Sequence, residues 1–185
     1  MSADGPQSYL ISEANYAQMQ RTAPVVAVLP WGACEAHNYH MPYGTDIYLA
    51  DAVAAEAGRL AHERGAAVGV LPAVPFGGNE QQLDQHITIS MSARTQEAVL
   101  DDVCRSLRKQ HVDRLVILNA HGGNDFISSI RDLQGRHGML IVAVNYWQML
   151  PDQRDAIFDD PGAHAGELET SLMLHLHPRL VQLDH

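Results

Sequence analysis

Val25-Val-Ala-Val-Leu29, then Glu35-Ala-His37-Asn-Tyr-His40-Met-Pro-Tyr-Gly-Thr-Asp46, then the alanine-rich run from Ile47 to Arg64, together set out the plan of the chain. The first segment is a short unbroken aliphatic run, the pattern of a strand buried on both faces. The last suits a helix, closed by Gly65. Between them, Glu35, His37, His40 and Asp46 put four potential metal ligands into twelve residues.

Outward from this stretch the alternation repeats. Ala67 to Val74 reads as a second strand, halted by Pro72 and Pro75, and Ile87-Thr-Ile-Ser90 as a short β-type segment. Ser92 is a predicted N-cap for a helix running to about Gln110, with Ala98, Val99, Val103 and Leu107 on one side. Arg114 to Asn119 reads as a strand, Asp125 to Arg136 as a helix and Met139 to Asn145 as a strand. Pro151 to Gly162, rich in Asp and Pro, reads as a surface loop able to flank or cover a site. Glu167 to His177 reads as a helix stopped by Pro178. Repeated βα units predict an α/β fold, a single-domain three-layer sandwich over residues 1–185. Its central sheet is expected to be mostly parallel and flanked by helices. In such sheets, functional loops lie beyond the carboxyl ends of the strands.

Bulk composition narrows the functional classes. With 185 residues, 46% of them apolar and 18% charged, the chain is expected to fold around a full hydrophobic core. A formal charge of −10 disfavours nucleic acid. No apolar run approaches the roughly 18 residues that a membrane helix needs, and the first residues lack the pattern of a signal peptide. Cys34 and Cys104 form no CxxC pair, which points to a reducing cytoplasm.

The chemistry-bearing residues fall into three blocks. Glu35 and His37, two apart, point the same way if the chain is still extended there. Asp46 stands at the start of a helix, where a carboxylate gains from the dipole, and its two oxygens suit it to bridge two metals; a plain helix cap is the alternative. Asn119-Ala-His121-Gly122-Gly123-Asn124 follows the apolar run Leu115 to Leu118, and His164-Ala-Gly-Glu167-Leu-Glu169-Thr-Ser171 comes near the end. Imidazole and carboxylate donors without ordered thiolates favour Zn²⁺, Mn²⁺ or Fe²⁺. His40 reads as a group orienting a ligand or touching substrate, and His86 as a further candidate contact.

Taken together the blocks resemble the creatininase (creatinine amidohydrolase) family. Its pattern is Glu-x-His-x-x-His-x-Pro with an Asp shortly after, then Asn-x-His-Gly-Gly-Asn, then His-Ala-Gly-x-x-Glu-Thr-Ser. The resemblance implies an α/β fold, two divalent metal ions (Zn, Mn or Fe), and hydrolysis of an amide C–N bond through a metal-bridging hydroxide. It also implies a homo-oligomer, commonly a hexamer. It assigns metal-ligand roles to Glu35, His37, Asp46 and His121, with Asp46 as the bridge, and a proton-transferring role to His164. Glu169 becomes a further ligand, and His40, Gly122, Gly123 and Asn124 are expected to contact substrate. Two departures stand out. Creatininase itself carries a ligand Glu where this chain has Gly123, which places the chain in a Gly-Gly branch that includes formamide-cleaving deformylases and a peptide-processing enzyme. The missing ligand is then expected from Glu169 or Glu167. Family members also continue for some tens of residues after the His-Pro of the last helix, so a C-terminal segment of the family is absent here. The expected function is a cytoplasmic, metal-dependent amidohydrolase acting on a small cyclic or formyl amide. The rivals are a peptide-processing member and a non-catalytic metal-binding protein. A Rossmann-type cofactor binder is disfavoured, since no GxGxxG follows the first strand.

Overall fold

A computed structural model describes residues 7–184. Four strands, β1 (Val26–Trp31), β2 (Val68–Val70), β3 (Arg114–Asn119) and β4 (Leu140–Asn145), form an all-parallel sheet in the order β2-β1-β3-β4. The aliphatic runs form strands because both their faces are covered. Ala27, Leu29 and Trp31 of β1, with Leu115, Ile117 and Ile141, pack under α3 (Ala93–Lys109) and α4 (Ile127–His137) through Leu100, Cys104 and Leu133. On the other face Val28, Val68, Val70 and Leu118 meet Ala54 of α2 (Thr45–Glu63). Beyond α2, Leu49 packs with Met41 and with Met173 of α6 (Glu167–Leu176). The fold is therefore the expected α/β sandwich.

Pro30 sits within a central strand, where a missing N–H would ordinarily break a ladder. Its carbonyl accepts from Val74 N–H on the β2 side, after β2 has ended, so the bond-free nitrogen faces no ladder partner. The register sets Trp31, Asn119 and Asn145 side by side, so three strands finish at one level. The loops that leave them converge on one end of the sheet, the end at which ligands bind in this class of fold.

Several elements differ from the sequence reading. The second strand covers only Val68–Val70, because Pro72 cannot donate to a ladder, although Val74 still bridges Trp31. Ile87 to Ser90 contributes isolated bridges, Ile89 to Cys34 and Ser90 to Gly77, rather than a strand. Residues expected as a loop form α5 (Pro151–Ile157), with Pro151 in the first turn, where its fixed φ and missing N–H suit a helix start. An unanticipated α1 (Tyr16–Thr22) begins with a capping box: Asn15 Oδ1 accepts from Gln18 N–H at 3.0 Å and Gln18 Oε1 accepts from Asn15 N–H at 2.8 Å.

Leu133 is fully buried between α4 and the sheet. Its replacement by Ala should cost about 2–5 kcal/mol of unfolding free energy, read as a lower urea midpoint with unchanged slope.

Candidate metal centre

Close approach of β1 to the start of α2 builds the site. A Cβ on Gly32 would lie 2.7 Å from Ile47 N and 2.8 Å from Asp46 C, so only glycine lets the chain leaving β1 pass the helix N-terminus. That contact brings Asp46, in the first turn of α2, beside Glu35 and His37. All three are almost completely buried. Glu35 and His37 do project to one side, as their spacing required. His121, two residues beyond β3, and Glu169, in the first turn of α6, complete the group.

The geometry divides into two halves that share Asp46. Asp46 Oδ1 is 3.0 Å from His37 Nε2, and Asp46 Oδ2 is 3.0 Å from His121 Nδ1. Glu35 Oε1 lies 2.8 Å from His121 Nδ1, and Glu169 Oε2 lies 3.9 Å from His37 Nε2. Ligand atoms of Glu35, Asp46 and His121 therefore cluster within one metal-sized space, and those of His37, Asp46 and Glu169 within a second. Backbone carbonyls orient both imidazoles. His37 Nδ1 is 3.2 Å from Glu35 O, and His121 Nε2 is 2.9 Å from Gly78 O. Each ring is thus held at one nitrogen and turns the other toward the carboxylates, the arrangement of a metal-binding histidine.

The protein alone leaves this donor set under-satisfied. Glu35 Oε2, His37 Nε2 and Asp46 Oδ2 are buried without a well-aligned hydrogen bond, even though oppositely charged atoms lie about 3 Å away from two of them. Proximity without alignment is what donors converging on a common cation show, so the residues fit divalent metal. Burial opposes the protonated form of His121, but Asp46 and Glu35 outweigh it and push its pKa up to about 10. His37 is raised in the same way, burial being overcome by Asp46 and Glu169. Burial pushes Asp46 upward, yet the close His121 and His37 rings leave it below the usual carboxylate range. Glu169 is raised, chiefly by burial.

His164 stands at the edge of the group. Its ring is 4.4 Å from that of His37, its Nε2 lies 2.9 Å from Ala36 O, and its Nδ1 lies 3.8 Å from Glu35 Oε1. At 38% side-chain exposure it is reachable from outside, unlike the buried donors. Glu167 lies away from the ligand group, its Oε2 accepting from Asp160 N–H at 3.2 Å.

A cleft of about 220 Å³ opens beside Glu169, with Gly122, Tyr146, Trp147, Arg154 and Leu168 among its walls. Of the expected substrate contacts, Gly122 lines it, while the others point elsewhere. Gly123 is pressed against the Gly78 carbonyl, and any Cβ there would also lie 2.5 Å from His121 Nε2. In this arrangement no side chain fits at that position. The Asn124 carboxamide is committed to Gly78 N–H, Gln96 and Asn119, bracing the His121 loop. His40 Nε2 is bonded to Thr170 Oγ1 at 2.8 Å, tying the first block to α6 next to Glu169. His86 is exposed and outside the cleft walls. The sequence reading missed Tyr146 and Trp147, which follow the carboxyl end of β4, although the rule that located the other loops applies there too. A larger apolar groove of about 1170 Å³, lined by Ile11, Met19, Leu71, Val103 and Leu107 among others, contains none of these residues.

Comparison with known proteins points to one family. The creatininase (creatinine amidohydrolase) family model matches residues 11–185. A creatinine amidohydrolase of Pseudomonas putida is 31% identical over 179 residues, covering 86% of this chain and 67% of that protein. A mycofactocin precursor peptide peptidase of Mycobacterium ulcerans is 31% identical over 176 residues, covering 90% and 64%. The chain thus spans about two thirds of the length of these relatives. Among solved structures, a protein of Bacteroides fragilis provisionally assigned as a creatinine amidohydrolase superposes with a TM-score of 0.88 at 39% identity, covering 96% of this chain and 71% of that one. A manganese form of creatininase gives 0.81 at 29% identity, covering 96% and 76%.

Two measurements check the centre. Since the protonated form of His121 persists toward pH 10 when only protein groups surround it, a cation must displace a proton at neutral pH. Mn²⁺ affinity should therefore keep rising from about pH 7 to about pH 9 instead of levelling near 6.5, the ordinary histidine value. A flat profile by calorimetry across that range would contradict the arrangement. Thr170→Val should weaken metal binding about 10–100-fold by freeing α6 beside Glu169, as loss of ligand-supporting bonds does elsewhere. Thr170→Ser, which keeps the hydroxyl, should restore it.

Proposed function

We propose a reaction for a chain that belongs to the creatininase family: metal-dependent hydrolysis of the C–N bond of a small cyclic or formyl amide. The observation that carries the reading is the sharing of the Asp46 carboxylate between His37 and His121, each at 3.0 Å and each with its own further acid. Glu35, Asp46 and His121 would hold one divalent ion, and His37, Asp46 and Glu169 a second. Nitrogen and oxygen donors without thiolate suit Zn²⁺, Mn²⁺ or Fe²⁺. Such ions lower the pKa of a water toward neutrality and polarise the scissile carbonyl.

The protein supplies the rest. Gly122 leaves the floor of the cleft open, and Tyr146 and Trp147 wall it with flat aromatic surface. A volume of about 220 Å³ is small beside the roughly 300–1,000 Å³ of drug-sized ligand sites, which favours a compact amide over a long peptide. His164, held at Nε2 by the Ala36 carbonyl, keeps Nδ1 on the side of Glu35 and delivers a proton to the departing nitrogen from there. We place the protein in the cytoplasm, where the free thiols Cys34 and Cys104 stay reduced, and in a homo-oligomer, for which exposed apolar side chains such as Leu140 and Val142 on β4 offer surface.

Separating metal from proton transfer tests this. Protein purified without added metal should contain about two metal ions per chain, and Asp46→Ala should lose both metal and turnover on a panel of formamides and cyclic amides. His164→Gln should retain metal while kcat falls about 10²–10⁴-fold. Full turnover in His164→Gln would remove that residue from the reaction, and full metal in Asp46→Ala would sink the bridged centre.

A further inference from the structure

Arg154 is the only Lys or Arg among the cleft walls, which otherwise offer the Glu169 carboxylate, aromatic rings and small residues. Its guanidinium is anchored from behind. Nε and Nη2 lie 2.8 and 2.7 Å from Asp155 Oδ1, and Nη1 donates to the Trp147 carbonyl at 3.3 Å. A guanidinium has five N–H groups in a planar fork. Three are used by these contacts, leaving one on each Nη, and guanidinium N–H pairs are the usual partners of a carboxylate. Asp155, at 61% side-chain exposure, is largely in water, so it fixes the orientation of the guanidinium without cancelling much of its charge. The Arg154 side chain is itself 30% exposed, part-shielded but reachable from the cleft.

The acid in the same cleft sharpens the argument. Glu169 faces the His37 half of the centre, so metal held there would absorb its charge. Arg154 has no part in that neutralisation, and a cation in a cleft of about 220 Å³ is a selective element for whatever else enters. We propose that Arg154 binds a carboxylate carried by the substrate, so that the preferred substrates are N-formyl or other short N-acyl amino acids rather than neutral amides. The inference rests on the amidohydrolase reading for the position of the scissile bond. The amide carbonyl lies toward the centre and the carboxylate toward Arg154, with Trp147 and Tyr146 flanking the side chain. Water adds across the amide C–N bond, releasing formate or another short acid and a free amino acid.

The test is a matched pair of ligands, N-formylglycine and N-formylglycinamide, titrated calorimetrically into Zn²⁺-loaded protein with the metal content of each sample measured in parallel. The acid should bind at least about tenfold more tightly than the amide, the scale of a hydrogen-bonded charge pair. Arg154→Gln should bring that ratio close to one. Arg154→Lys, which keeps the charge but loses the fork, should fall between, and melting temperatures of both variants establish that α5 still folds. Equal binding of acid and amide by the wild type, binding of neither, or an undiminished preference in Arg154→Gln would each overturn the assignment. Metal content separates these outcomes from failure of the metal centre: normal metal with no acid preference rejects the role of Arg154 alone, and absent metal rejects the reading beneath it.

Discussion

Three carboxylates, Glu35, Asp46 and Glu169, are gathered around two imidazoles, with Asp46 shared between both rings, and the architecture answers to this crowding. Among the described residues no Lys or Arg forms an ion pair with any of these acids. Ionised acids so close and so deeply buried are costly unless positive charge joins them. Protonated His37 and His121 are the nearest internal sources, which is why burial fails to hold His121 below its ordinary pKa. Divalent metal solves the same problem with more charge and without protons. The parallel sheet, with three strand ends at one level, and the close approach permitted at Gly32 serve to bring these groups to one place.

The dipoles of two helices support the same gathering. Asp46 and Glu169 occupy the first turns of α2 and α6, where the positive end of each helix favours a negative side chain. The Glu169 carboxylate is also held by Ala165 N–H at 2.6 Å. Glu169 belongs to a helix that packs on α2, so its position depends on the Leu49–Met173 contact and on the His40–Thr170 bond. A ligand from the strand-end loop would need no such support, but Gly123 has no space for a side chain. The position of Glu169 on α6 thus ties this donor group to helix packing.

Much of this could be read from the residues. β3 runs over Arg114–Asn119 as expected and α3 starts at the Ser92 cap, because a dense aliphatic run and a serine N-cap are local signals strong enough to survive any tertiary context. Glu35, His37, Asp46 and His121 were identifiable from type and spacing, and the structure assembles them. What could not be read depends on distant partners. Whether Gly123 faces open space or the Gly78 carbonyl is set by a loop more than forty residues away in the sequence. The Asp- and Pro-rich stretch was read as a loop because composition does not reveal that Pro151 starts a helix rather than ending one. His40 reads from sequence as orienting a ligand or touching substrate, but its partner at Thr170 shows only in the fold.

The walls of the cleft follow from the same topology. Tyr146 and Trp147 leave β4 at the level where His121 leaves β3, so the fourth strand furnishes binding surface where the first and third furnish donor atoms. α5 turns back at once after this segment, and Arg154 reaches the Trp147 carbonyl, fastening the helix to the wall it follows. The Tyr146 hydroxyl is held protonated by burial and by the negative charge of Glu169 and Asp46, so this wall presents a neutral ring to whatever lies against it. Charge on the cleft walls is therefore confined to the Glu169 carboxylate and the Arg154 guanidinium. In a space this small, opposite charges on the walls would orient a dipolar ligand.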